Sequence, residues 1–277
     1  MENKILVPLD GTESQEEILR YVKSITPRSE TRITLLQVIP DAITAAGGEV
    51  HANEIHAVLT REGWNVSRET RMGDPVEEIV KFALLLPATL LLMSTHGRSG
   101  LERVRQGSVT EQVLKQSPCP VFILHSTRAE PADRRTDNLF RRILVPLDGT
   151  EISASILECV ERFARHHDSE VILFHDEMDG GGPDYSRATV REVLQDRSVE
   201  LANTGLKVSL DMSTYKRPIR EILSRIDELN IDLVSMATHG ESGAWRVLDE
   251  SVTAEVIRHS NCPLLVWSAE PQCPPEA

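Results

Sequence analysis

Residues 5–13 read ILVPLDGTE, and residues 143–151 repeat those nine letters 138 positions further on. The echo continues. Thr95-His96-Gly97 returns as Thr238-His239-Gly240, and Cys119-Pro120 as Cys262-Pro263, now at an offset of 143. Self-similarity on this scale means one supersecondary plan used twice. The second copy gains five residues net before Pro218, and the loop-like Asp179-Gly180-Gly181-Gly182-Pro183 is the expected place for them. The expected domains are 1–127 and 141–270, with a polar, charged linker over 128–140 and a Pro-rich tail over 271–277.

Each copy alternates short apolar runs with amphipathic segments. Ile5 to Leu9 reads as a buried strand. Ser14 with Glu17 is a capping-box pattern, followed by Ile18, Val22 and Ile25 on one helix face. Ile156, Val160 and Phe163 repeat that stripe. Arg32 to Val38 and Asn65 to Thr70 read as strands two and three. Asp74-Pro75 opens a helix that carries Ile79, Phe82 and Ala83. Leu90 to Ser94 is the fourth strand, Ser108 with Glu111 caps a helix through Gln116, and Val121 to Leu124 is the fifth. Strands apolar on both faces, separated by helices, predict an α/β fold with a parallel sheet covered on both sides. Right-handed crossovers make it open and doubly wound. Ligands in such sheets bind beyond the carboxyl ends of the strands, where the strand order reverses. The loops after strands one and four are therefore the ones that matter.

Composition narrows the function. A length of 277 residues suits two domains, and 40% hydrophobic residues suffice for real cores. The longest nearly apolar stretch, Phe82 to Met93, has 12 residues and contains Pro87 and Thr89. That is short of the roughly 18 a membrane span needs. The opening MENKILVPLD has no signal-peptide pattern, so a cytoplasmic protein without membrane contact is expected. A net charge of −13 argues against nucleic acid as partner. The cysteines at 119, 159, 262 and 273 form no CxxC and read as reduced thiols, with Cys119, Cys159 and Cys262 as small packing residues. His51, Glu54 and His56 are poorly spaced for one helix face, and HANEIHAV reads as a polar helix start, so no metal site is expected.

The loop after strand four carries the chemistry. Gly97 and Gly100 let a ligand approach the backbone, and Gly107-Ser108 sits at a helix start, where bare N–H groups favour an anion. Arg98, Arg103 and Arg105 add positive charge. The same glycines also suit a plain strand-to-helix turn, and both readings stand. Neither GxxxxGK[ST] nor GxGxxG is present.

These motifs together resemble a tandem universal stress protein. ILVPLDGTE resembles that family's first strand and its aspartate. The family's ATP signature, G-x2-G-x9-G-[ST], is matched in its second half by Gly97, nine residues, then Gly107-Ser108, with Ser94 in place of the first glycine. MSTHGRSG over 93–100, Gly73-Asp74-Pro75, and Ser117-Pro118-Cys119-Pro120-Val121 are similar to further family landmarks. The resemblance implies two Rossmann-like domains of strand order 3-2-1-4-5. It implies ATP, with Mg2+, as ligand of the first copy. Asp10 would meet the ribose or adenine side, with Pro8 and Leu9 as wall. Val38 would meet the adenine. Met93, Thr95, His96, Gly97 and Arg98 would line the ribose-phosphate side, and Gly107, Ser108, Val109 and Thr110 would hold phosphates. Each has a plainer alternative: Asp10 as a turn residue, Val38 as core, His96 as a loop brace. The resemblance further implies self-association through the fifth strands, Val121 to Leu124 and Leu264 to Trp267, as an internal pseudo-dimer that can pair again into a homodimer. A protein partner is expected but unnamed by the sequence.

The second copy departs from the pattern. Asp148 and Pro146 remain, but Asp176 stands in the place of Val38, Lys216-Arg217 replaces Gly73-Asp74, Ala237 takes the first signature glycine, and Glu250 precedes Ser251. A carboxylate some 6 Å from a phosphate costs about 3 kcal/mol per charge pair at an effective dielectric of 20. The second copy is therefore expected to bind ATP weakly or not at all. Three functions follow: a stress-response signalling module that holds ATP in the first copy, a slow ATPase, or an interaction module with both sites empty.

Overall fold

The computed structural model describes residues 3–10, 15–39, 45–95, 109–125, 139–176, 187–215, 217–238 and 252–268. These fall into two compact units, residues 3–125 and 139–268. The first contains β1 (Asn3–Leu9), α1 (Gln15–Ile25), β2 (Thr31–Ile39), α2 (Ala45–Arg61), β3 (Asn65–Met72), α3 (Pro75–Leu85), β4 (Leu90–Thr95), α4 (Val109–Gln116) and β5 (Val121–His125). Its strands are all parallel, in the order β3-β2-β1-β4-β5. The second contains β6 (Arg142–Pro146), α5 (Glu151–Ala154), α6 (Leu157–His167), β7 (Glu170–Asp176), α7 (Arg187–Asn203), β8 (Lys207–Ser213), α8 (Pro218–Glu228), β9 (Leu233–Thr238), α9 (Val252–His259) and β10 (Leu264–Ser268). It repeats the plan in the order β8-β7-β6-β9-β10. The doubly wound α/β architecture expected from the sequence is thus present twice.

The central strands are apolar because both faces are covered. Ile5, Leu6 and Val7 are fully buried, as are Ile143, Leu144 and Val145. Two contacts on β3 show the two layers. Arg68 hydrogen-bonds Asn53 of α2, and Arg71, three residues on and so facing the other way, stacks its guanidinium 4.9 Å from the Phe82 ring of α3. The outer strand β3 departs from the expected two-sided burial: every residue in it is exposed or half-buried, and it carries Arg68, Glu69 and Arg71.

Helix stripes follow the sequence. Ile18, Val22 and Ile25 are buried on α1. On the second copy Ile156 and Val160 are buried, whereas Phe163 is half-buried and makes an edge-on contact with Phe140 at 4.9 Å. Residues 51–58 lie inside α2, not at a helix start; neither α2 nor its twin α7 was evident from periodicity. Cys119 and Cys262 are packed in the core, and burial pushes the Cys119 thiol up to about 12. Cys159 is only half-buried, because it lies beside the inward stripe of α6 rather than on it. On α8, desolvation lowers the pKa of Arg225. The hydrogen bond to Asp211, at 2.6 Å, and the charges of Asp211, Glu228 and Glu221 outweigh it and raise the net value.

The five-residue gain is split. α2 opens at Ala45 and α7 at Arg187, an offset of 142, and Val66 and Val208 keep that offset in register with Ile33 and Val171. Four residues are therefore gained between β7 and α7. Asp179 to Pro183 lie in that interval but outside the described residues. The fifth falls in the turn between β8 and Pro218.

That turn also differs in chemistry. Asp74 caps α3, accepting the N–H of Val76 at 2.9 Å and of Glu77 at 3.0 Å, with Pro75 at the first helical position. Arg217 holds the corresponding place before Pro218 and provides no side-chain cap. Asp74→Ala is expected to lower the unfolding free energy by about 1 kcal/mol, the usual worth of such a cap. Arg217→Ala is expected to stay within about 0.5 kcal/mol of the parent. Denaturant titration of the two variants side by side checks the contrast.

Candidate functional site

In the first unit β1 is the switch strand, pairing with β2 on one side and β4 on the other. Along a parallel strand, alternate residues turn both backbone groups to the same neighbour. The carbonyl of Lys4 accepts the Thr89 N–H at 2.9 Å, so Lys4, Leu6 and Pro8 face β4. Pro8 has no N–H to give. Pairing between β1 and β4 accordingly covers Ile5 with Leu90 and Leu6 with Leu91, and Pro8 and Met93 stand beyond it. The second unit repeats this: Arg142 accepts the Asp232 N–H at 3.0 Å, pairing covers Ile143 and Leu144, and Pro146 follows. A proline inside a central strand is costly elsewhere; here it falls where the pairing of the switch strand ends, the place at which open sheets of this class bind ligands.

Part of the sequence-derived set falls among the described residues at these strand ends. Pro8 is half-buried, Leu9 buried and Asp10 exposed at the end of β1. Leu9 is in register with Gln37, and β2 continues past it through a half-buried Val38 to Ile39. Met93 is buried on β4, and Thr95 is the last residue of that strand. α4 starts at a partly exposed Val109, followed by a buried Thr110. His96, Gly97, Arg98, Gly107 and Ser108 lie outside the described residues, as do Ser14, Gly240, Glu250 and Ser251.

At the same place in the second unit several side chains bond to one another and to the backbone. Asp148 accepts the Thr150 N–H at 2.9 Å and the Thr150 hydroxyl at 2.6 Å. The Thr150 oxygen in turn accepts the Ser153 N–H at 3.1 Å, capping α5. Gly149 has φ +88°, and a Cβ there would lie 2.9 Å from Cγ1 of Val190 on α7. His175 Nδ1 meets the Leu147 carbonyl at 2.7 Å. Asp176 is buried and accepts the Arg217 N–H at 2.6 Å. In the first unit the comparable tie is backbone to backbone, Gly73 N–H to the Ile39 carbonyl at 3.1 Å. Asp176 thus acts as a strut between β7 and the start of α8, a role that its charge alone did not reveal. The Asp-x-Thr spacing was the available signal for the Asp148 brace.

The sequence pattern of the Universal stress protein family matches residues 1–125 and again residues 139–267. The chain belongs to the universal stress protein family. A universal stress protein of Methanocaldococcus jannaschii is 30% identical over 143 residues, covering 46% of this chain and 84% of that protein. One of Mycobacterium bovis is 24% identical over 233 residues, covering 79% of this chain and 76% of that protein. The crystal structure of a universal stress protein from Archaeoglobus fulgidus has a TM-score of 0.69 at 23% identity, covering 97% of this chain and 99% of that one. At that identity the likeness establishes the fold. The tandem arrangement expected from the internal repeat is that of two universal stress protein domains.

Asp176→Val, which installs the first domain's residue, is expected to cost about 1–3 kcal/mol by leaving the Arg217 N–H without an acceptor. Asp176→Asn keeps an oxygen in place and is expected to cost less. Thermal and urea unfolding of both variants give the order.

Proposed function

We propose that this stress-response protein holds one adenine nucleotide, ATP with Mg2+, at the strand exits of its first domain and uses the bound state to change its affinity for a partner. The observation that carries this reading is the contrast at the end of the second strand. Val38 presents an apolar, half-buried edge there, whereas Asp176 fills the matching place with a carboxylate tied to Arg217. An apolar edge suits the flat face of a base, and a buried acid does not. The spacing Gly97, nine residues, Gly107-Ser108 supports the reading from the sequence, since a helix start after glycines suits phosphate. Glu250 opposes it in the second copy.

Isothermal titration of the full chain with Mg·ATP tests the proposal. One equivalent per chain is expected, and Gly107→Glu, which copies the second domain's residue, is expected to abolish the signal. Zero or two equivalents in the parent chain would overturn it. Phosphate release above background that Gly107→Glu removes would replace binding with slow hydrolysis as the function.

A further inference from the structure

α3 and α8 are the same helix in the two domains, each running 11 residues from a proline, Pro75 in one and Pro218 in the other. Asp74 and Glu77 at the start of α3 stand where Arg217 and Arg220 stand at the start of α8, and all four residues are exposed. Two negative charges in one domain are thus matched by two positive charges on the same surface of the other.

Beside the arginines lies a groove of about 360 Å3, lined by Arg217, Pro218, Ile219, Arg220 and Leu223. Its floor is apolar, with Pro218, Ile219 and Leu223 half-buried, and its rim is cationic. Among the described residues no carboxylate pairs with either guanidinium. Arg142, Arg165, Arg197 and Arg225 of the same domain each have one at 3.1 Å or closer. A bare phosphate would gain nothing from the floor, so the groove suits a protein surface that brings an acid and an apolar side chain together.

α3 presents that combination. Glu77 is exposed and in no ion pair among the described residues. Val80 is half-buried beside it, and Leu84, two turns on and on the same helix face, is 58% exposed. The second domain has Asp227 in the place of Leu84. With a net charge of −13, two copies of the chain repel each other at long range, so a contact between them needs a local match of this kind.

We infer that the start of α8 is a docking surface for a second copy of this chain, whose α3 sets Glu77 against Arg220 and Leu84 into the groove over Ile219 and Leu223. Pairing α8 with α8, or α3 with α3, would face like charges, so the inversion also fixes which helix meets which.

Sedimentation velocity of the full chain, without nucleotide, tests this independently of the first domain's ligand. The parent is expected to self-associate as its concentration rises, and less so with added salt. Arg220→Glu and Glu77→Arg each copy the other domain's charge, and each is expected to weaken association by about tenfold or more, equal to about 1.4 kcal/mol. An equimolar mixture of the two variants is expected to restore it, because each offers the other the charge it lacks. Leu84→Asp is expected to weaken association in the same way. These positions are exposed, so melting temperatures near the parent's are expected. A parent that stays monomeric, variants that associate as the parent does, or a mixture as weak as its two components overturns the inference. Restoration in the mixture supports it even where a single variant melts early, since a damaged fold would not be restored by mixing.

Discussion

Each domain shares the backbone hydrogen bonds of its first strand between two neighbours, and a proline stands at the first β4-facing or β9-facing rung that is not made. The carbonyls of Lys4 and Arg142 accept the N–H groups of Thr89 and Asp232 on the switch side, and Pro8 and Pro146 then lack the donor that would extend the ladder. Everything proposed for the site depends on that parting. Without it the pairing of the first strand with its switch-side neighbour would run on toward the strand ends. The proline is tolerable because the remaining core is dense: the residues before it are fully buried in both copies.

The internal repeat acts as a control on the site. ILVPLDGTE is the same in both domains, so any difference in what the two domains bind must come from residues outside it. In the second domain His175 meets the Leu147 carbonyl, Asp176 accepts the Arg217 N–H and Val190 packs on Gly149, and Gln37 and Val38 stand in the first two of those places in the other. An aspartate in this motif is therefore not sufficient evidence of a ligand contact. Asp148 is engaged by Thr150, and the identical letters at Asp10 and Thr12 allow the same brace.

The sequence made the architecture legible because burial on two faces leaves unbroken apolar strands and the duplication tests every assignment twice. Strand ends were placed within two residues, and the stripe of α1 was correct. The misses share a cause. α2 shows in the sequence only as a polar helix start at HANEIHAV, and α7 not at all, because both mix small, polar and apolar residues without a clean stripe; β3 is less buried than the inner strands because it lies at the edge of its unit's strand order. At the site, residue type announced charge but not partner: Asp176 reads as repulsion toward a nucleotide, while its role in the fold is to receive a backbone N–H.

The polar outer strand has a consequence for the behaviour of the chain in a crowded solution. A lateral row of backbone groups beside β3 is a template on which extended segments of other molecules can grow. Glu69 forces any such arrival to desolvate a charge, and apart from Met72 the exposed positions of the strand are polar. This flank of the first domain is thereby a poor template for an arriving strand.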